Sequence, residues 1–397
     1  RLMDNMVNAL RKLIQNIKPK FTDGGPLQRF YPIFEATESF LFSSDEKTKS
    51  GPHIRDSIDI KRVMILVVLA LIPCYIFGAI NIGVQAGIAS GKERTLFDNF
   101  VFGMGYIIPV IIVTFVAGGF WEVLFAVIRK HDIYEGFLVT CALIPLLMPP
   151  TIPLWQVFVA TSFGIVIGKE IFGGVGYNIF NPALVTRAFI YFAYPTTIAG
   201  DKVWLVGPDG YSGATALSIP AATENSNALD LLNNVNQFDF SWINMIMGYI
   251  PGSIGETNKI IILLGALFLI YVKIASWRTM LGAILGLFFT AIVTNTLAPF
   301  SSNTMLSLPP HYHLVMGSFM FGVAFMATEP VTSAHTNRGK WIYGFLIGSL
   351  TVIIRSINPA YPEGIMLAIL LMNAFAPLID YFVVQKNINQ RKFRYAK

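Results

Sequence analysis

Apolar residues gather in runs with few charges inside them, near 62–84, 100–127, 136–150, 154–172, 182–197, 259–275, 278–297, 312–328, 340–356 and 363–385. A bilayer core of about 30 Å takes about 20 apolar residues of helix to cross. The pattern therefore predicts an all-α polytopic membrane protein of about ten transmembrane helices. Runs 136–150 and 182–197 are short for a regular crossing, and a further run at 242–254 holds Pro251-Gly252 and reads as re-entrant. Interrupted helices line sites, because irregular backbone survives at membrane depth only where protein or water satisfies its polar groups.

The expected organisation is an arm over 1–61, a first five-helix half over 62–197, a loop over 198–258, a second half over 259–385 and a tail over 386–397. Phe180-Asn181-Pro182-Ala183 precedes the fifth run of the first half, and Ile357-Asn358-Pro359-Ala360 the fifth of the second. An odd number of spans per half inverts the second copy, so two inverted halves with broken helices predict these segments on opposite faces. Four matched residues also arise by chance, and on sequence both readings stand.

Composition agrees with the pattern: 54% of residues are hydrophobic and 13% charged, where soluble domains carry about 25% charged residues. The arm and the tail (Lys386, Arg391, Lys392, Arg394, Lys397) are basic, which places both termini in the cytoplasm. Threading the spans alternately puts most of the 29 Lys and Arg on that side, including Arg129, Lys169, Arg187 and Lys273, and leaves Lys259 and Arg355 outside. The net charge of +6 reads as membrane orientation rather than nucleic-acid binding. The opening residues lack a signal peptide's apolar core, so insertion is expected to rely on internal spans. Cys74 and Cys141 sit inside apolar runs and read as core, and the five His show no metal-ligand spacing. No metal centre is expected.

Chemistry is sought first in the 198–258 loop, since long loops are functional or disordered. It contains Asp209-Gly210-Tyr211-Ser212-Gly213-Ala214-Thr215-Ala216-Leu217. Asp-Gly signals a turn, and Gly213 and Ala214 leave the chain bare enough for a bulky group to approach the Thr215 hydroxyl. The bland alternative is a plain turn into a short helix. Near the second run, Gly118 and Gly119 allow close approach by a helix or a flat ring, with Phe120 and Trp121 available to stack and Glu122 beside them. Helix packing through small residues with an interfacial Trp explains the same letters. Asn178 and Asn181 follow Gly173, Gly174 and Gly176 at a break between runs; they suit either a ring edge or a helix cap. Acids in or near spans are costly and suggest function: Glu122, Glu170, Glu329 and Asp380, with Glu35 on the arm. Each also suits a cap or an ion pair.

Ser212-Gly213-Ala214-Thr215 in a ten-span chain resembles the flavinylation motif of the B-type subunit of the bacterial sodium-translocating NADH:quinone oxidoreductase. That family is shared with the D-type subunit of the electron-transport complex oxidising ferredoxin or NADH. The likeness extends over nearly the whole chain, through Gly118–Phe125, Asn178–Ala183 and Asn358–Gly364, and the arm around Phe34-Glu35 and His53–Ser57 favours the B type. The resemblance implies FMN attached to Thr215 by a phosphoester, a non-covalent riboflavin near Asn178 and Asn181, and ubiquinone or menaquinone as substrate near Gly118, Gly119, Phe120, Trp121 and Glu122. It implies sodium as the transported ion, with Glu35, Glu122, Glu329 and Asp380 on its pathway. The family's Asp-Pro is Glu329-Pro330 here, one methylene longer. The implied partners are the other members of a multi-subunit membrane complex, among them an NADH-oxidising flavoprotein and a second FMN-carrying protein, with a flavin transferase for maturation. The implied location is the bacterial inner membrane. No Gly-x-Gly-x-x-Gly follows a strand, so NADH oxidation belongs to a partner. The rival readings are the D-type relative and a flavin-free channel or transporter.

Overall fold

A backbone that leaves water must bond its own amides internally, and nine of the ten apolar runs fold as a principal helix. The computed structural model describes residues 14–22, 25–28, 31, 34, 38, 60–130, 133, 136–208, 211–235, 238–359 and 361–395. The principal helices are α1 (Ile60–Ser90), α2 (Leu96–Arg129), α3 (Gly136–Leu146), α4 (Leu154–Gly168), α5 (Pro182–Ala193), α6 (Lys259–Tyr271), α7 (Trp277–Leu297), α8 (Asn337–Ile357) and α9 (Ile365–Tyr395). Among the described residues six segments are long and apolar enough to cross a membrane, those of α1, α2, α4, α7, α8 and α9, while α3, α5 and α6 are shorter apolar helices. The run near 312–328 is broken. Pro310–Val315 ends at a bend where Gly317 has φ 62°, and Phe319–Phe321 then passes into a π-helical turn, Gly322–Met326.

The two irregular stretches expected near the sites satisfy each other. The run at 242–254 folds as Trp242–Met247, closed by Gly248 at φ 88°, and continues as buried non-helical chain. The Ile254 amide donates to the Met148 carbonyl (3.2 Å) and the Gly255 amide to that of Leu146 (2.8 Å). The carbonyls that short α3 leaves open at its end thus find backbone donors. A Cβ at Gly255 would lie 2.7 Å from Leu146 Cβ, so a larger residue would push the two chains apart.

Helices pack closely through small residues. Gly282 and Gly286 of α7 meet Gly344 and Gly348 of α8; a Cβ on Gly286 would run into the Phe345 carbonyl, and one on Gly348 into that of Ala283. Four-residue spacing of glycines on both helices lets the backbones touch, the usual device where lipid gives no hydrophobic drive for association. The described residues of the 198–258 segment pack together. Leu205, Leu217, Leu232, Phe238, Phe240 and Met245 pack with Met305, Leu308 and Met316 in a small apolar core of their own.

Twelve-residue α5 spans roughly 18 Å and separates two ends of the molecule. Asn181 stands at its start, and beyond its far end the Thr197 hydroxyl donates to Gln156 Oε1 on the first turn of α4 (2.7 Å). The two Asn-Pro segments lie near opposite ends of α5, and they are not equivalent. Asn181 caps α5, whereas Asn358 closes α8 and α9 starts only at Ile365.

Candidate functional site

Thr215 faces a cavity of about 210 Å³, lined also by Arg187 and Tyr191 of α5, by Trp204, and by Glu256, Tyr361 and Glu363. The Ser218 amide donates to Thr215 Oγ1 (3.3 Å) and the Ser218 hydroxyl to the Thr215 carbonyl (2.9 Å), which starts the short helix Ser218–Ala221. The plain-turn reading is therefore realised, and the cavity is added to it. Of Ser212, Gly213, Ala214 and Thr215, only Thr215 lines it. Gly213 serves a different purpose from the one expected. Its amide donates to the Asp201 carbonyl (2.6 Å), and a Cβ there would sit 2.7 Å from Leu205 Cβ, so the glycine lets the 201–205 turn close under the motif.

Behind Thr215 lies a buried cluster of charges that sequence reasoning did not assemble. Arg187, expected among the cytoplasmic basic residues, is instead a buried residue of α5, 3% exposed, and lines the same cavity as Thr215. Its Cζ is 5.7 Å from the Trp204 ring centroid, Tyr361 lines the same cavity, and Nε and Nη1 have no hydrogen-bond partner. Lys259 and Arg355, expected as outer loop charges, are also buried. Lys259 Nζ donates to the carbonyls of Glu256 (2.5 Å) and Gly317 (2.7 Å). Arg355 donates to those of Glu363 (3.1 Å), His313 (2.6 Å) and Met316 (3.0 Å). Glu363 Oε1 accepts from the amide and hydroxyl of Ser318 (2.6 and 2.5 Å), and Glu256 Oε1 from the Ser253 amide (3.0 Å). Burial, with Glu363 nearby, raises the Glu256 carboxyl above its ordinary value, and burial pushes the Tyr361 hydroxyl up to about 12.

At the other end of α5 a smaller cavity, about 60 Å³, is lined by Gly136, Lys169, Asn178, Asn181, Phe325 and Glu329 among others. Asn181 Oδ1 accepts from the amides of Ala183 (2.9 Å) and Leu184 (3.2 Å), capping α5, and Asn178 Nδ2 donates to the Phe180 carbonyl (3.1 Å). Glu329 shares this cavity with both carboxamides, and its carboxylate accepts from the Thr332 hydroxyl (2.7 Å). Cap and cavity wall are thus the same residue. The turn leading here needs its glycines, since Gly173, Gly174 and Gly176 all have positive φ (124°, 100°, 91°).

Glu122 and Lys169 form a buried ion pair, and Lys169 also lies 3.4 Å from Glu170. Arg129 closes the row, bonding the Glu170 carboxylate (3.3 Å) and carbonyl (2.6 Å). Gly118 is a packing glycine: a Cβ there would meet Cys141 Sγ at 2.5 Å and Ile165 Cδ1 at 2.9 Å. Gly119 has only the Phe137 ring nearby, at 3.6 Å, and Phe120 points outward at 55% exposure. Trp121 is half-buried, with its Nε1 buried and unpartnered.

The four expected sodium acids do not converge. Lys169 links Glu122 to the Glu329 cavity, but Asp380 ties the turn before α8, accepting from the His335 and Thr336 amides (2.6 and 3.0 Å) and the Thr336 hydroxyl (2.5 Å). Glu35 lies outside the described residues.

The fold and its two buried polar cavities define a class: an all-α polytopic membrane protein whose polar sites are built where short or broken helices meet. Its sequence matches the model of the NQR2, RnfD, RnfE family over residues 47–389. The chain is 48% identical to the B-type subunit of the Na(+)-translocating NADH-quinone reductase of Chromohalobacter salexigens, with 97% of each chain covered. It is 44% identical to the proteins of the same name from Klebsiella pneumoniae strain 342 and Neisseria meningitidis serogroup B, over 97% of this chain and 100% and 99% of theirs. The chain belongs to the NQR2, RnfD, RnfE family.

Proposed function

We propose that this chain is the B-type membrane subunit of a sodium-translocating NADH:quinone oxidoreductase, with FMN joined to Thr215 by a phosphoester. The observation that carries the reading is Thr215 facing a cavity that also holds a buried guanidinium with Nε and Nη1 unpartnered and three aromatic side chains, Tyr191, Trp204 and Tyr361. These residues fit the group. The aromatic rings suit a flat heterocycle and Arg187 suits a phosphate. A bound flavin supplies one- and two-electron chemistry. The chain's own residues orient it, keep water from it and offset its charge.

The fit differs at Asn178 and Asn181. Their amides offer the hydrogen bonds a riboflavin ring edge takes, but the cavity beside them, about 60 Å³, is smaller than the one of about 210 Å³ beside Thr215. No step is routed through a flavin there. Quinone is assigned to the Gly119 face of α2, beside Trp121 and Glu122, and Gly118 is assigned to packing. Sodium passage is assigned to the Glu122 and Glu329 region, with Asp380 and Glu35 further along the path.

In this reading both termini are cytoplasmic, the Thr215 cavity is on the outer side of the bacterial inner membrane, and NADH oxidation and the second covalent FMN belong to partner proteins of the complex. The test compares the purified chain with Thr215→Val, each co-expressed with the flavin transferase, by intact mass and in-gel ultraviolet fluorescence. The expected result is a fluorescent chain heavier by one FMN less water and a dark, unmodified variant. An unmodified chain despite active transferase rejects the reading and moves a flavin-free transporter to the front.

A further inference from the structure

We infer that Arg187 is the phosphate-recognising residue of the Thr215 cavity; this rests on the flavin reading above. The first ground is an open donor set. Arg187 is 3% exposed, and Nε and Nη1 are both buried without a partner. A buried charge left unpaired is strongly unfavourable, and a guanidinium is charged at every accessible pH.

The second ground is the charge of the surroundings. Three buried cations, Arg187, Lys259 and Arg355, stand with two carboxylates, Glu256 and Glu363, which leaves one cation in excess. The other two cations are committed to carbonyl oxygens and the carboxylates take Ser253 and Ser318 as donors. Only Arg187 keeps nitrogens open, and among the described residues no carboxylate lies within ion-pair distance of it.

The third ground is placement. Arg187 shares its cavity with Thr215, the point of attachment, and holds its plane near Trp204. A phosphodiester bears a permanent negative charge, whereas an oxidised flavin ring bears none, so the phosphate is the group that matches a permanent cation. The ligand class is therefore a phosphate monoester or diester on a flat heterocycle, with Arg187 as its positioning residue.

The test uses the full-length Thr215→Val chain, which cannot be modified and leaves the cavity open to free flavins. Equilibrium dialysis against FMN and against riboflavin reads the contribution of the phosphate. The expected result is retention of FMN at least tenfold tighter than riboflavin. That preference disappears when Arg187→Gln is added and returns in part with Arg187→Lys, while riboflavin retention stays constant and reports an intact fold. Equal retention of the two flavins with Arg187 in place overturns the inference without any Arg187 variant, and so does a preference that survives Arg187→Gln. A chain with native Thr215 that stays unmodified, while dialysis shows Arg187-dependent FMN retention, would remove the covalent-flavin reading and leave the anion site standing.

Discussion

The two ends of α5 handle buried charge in opposite ways. At the Asn181 end, two cations and two carboxylates pair with one another in a row, Glu122 to Lys169 to Glu170 to Arg129, while Glu329 in the same cavity takes the Thr332 hydroxyl. At the Thr215 end, the cations Lys259 and Arg355 spend their donors on backbone carbonyls, the carboxylates take theirs from serines, and Arg187 is left over. The first arrangement pairs its bases with its own acids. The second is built for an anion that the chain does not itself supply.

This contrast is most sharply probed at Lys169. Lys169→Met strands two buried carboxylates, and removing one partner of such a pair destabilises by about 3–5 kcal/mol. Thermal unfolding of the detergent-solubilised chain should show it, and Glu122→Leu added to Lys169→Met should recover part of the loss. A change under about 1 kcal/mol would mean that the row is solvated and not closed.

The next effect belongs to the open end. Free FMN at one hundred times its dissociation constant should stabilise the Thr215→Val chain by about 2.7 kcal/mol. Unfolding midpoints with and without FMN read the shift, which should vanish with Arg187→Gln and persist with Asn178→Ala. Persistence with Arg187→Gln would place the anion elsewhere.

Asn181→Ala removes the cap of α5 and a polar wall of the Glu329 cavity, for a loss of about 1–2 kcal/mol. Asn181→Asp keeps the cap but faces Glu329 with a second acid, so its stability should fall as pH rises through the range where both ionise. If the two variants behave alike at every pH, Glu329 does not feel residue 181. The smallest effect is expected from Thr197→Val. Loss of its hydrogen bond to Gln156 is worth about 1 kcal/mol, and flavin attachment at Thr215 should be unaffected, measured as the modified fraction by intact mass.

The helices are legible in the sequence because apolar runs state their own length, and nine principal helices lie where such runs stand. The break inside 312–328 is not, since Met316-Gly317 interrupts an apolar run without changing its polarity. Asn181 suits either cap or ligand on sequence, and in the fold it is a cap whose residue also lines the Glu329 cavity. Thr215 stands out only through the resemblance of its motif.

The charge cluster escapes the sequence for a physical reason. Arg187, Lys259 and Arg355 stand close to span ends, where sequence statistics expect exposed bases anchoring the protein in headgroups. Burial is decided by chain segments far away in sequence: Tyr361 and Glu363 meet α5 at one end, and Glu329 meets Asn181 at the other. The one local signal is Arg187 itself, a base within the first two turns of an otherwise apolar helix.

The glycine seam between α7 and α8 has a mechanical meaning. Helices whose backbones touch at Gly286 and Gly348 have no layer of side chains between them to slide or re-pack. They behave as a single plank. A pump must nevertheless change shape, and shear motion needs an interface with more than one packing. A hinge in this chain would have to sit where the helices are already broken, above all at the bend at Met316-Gly317 and the π-helical turn that carries the chain from there toward Glu329.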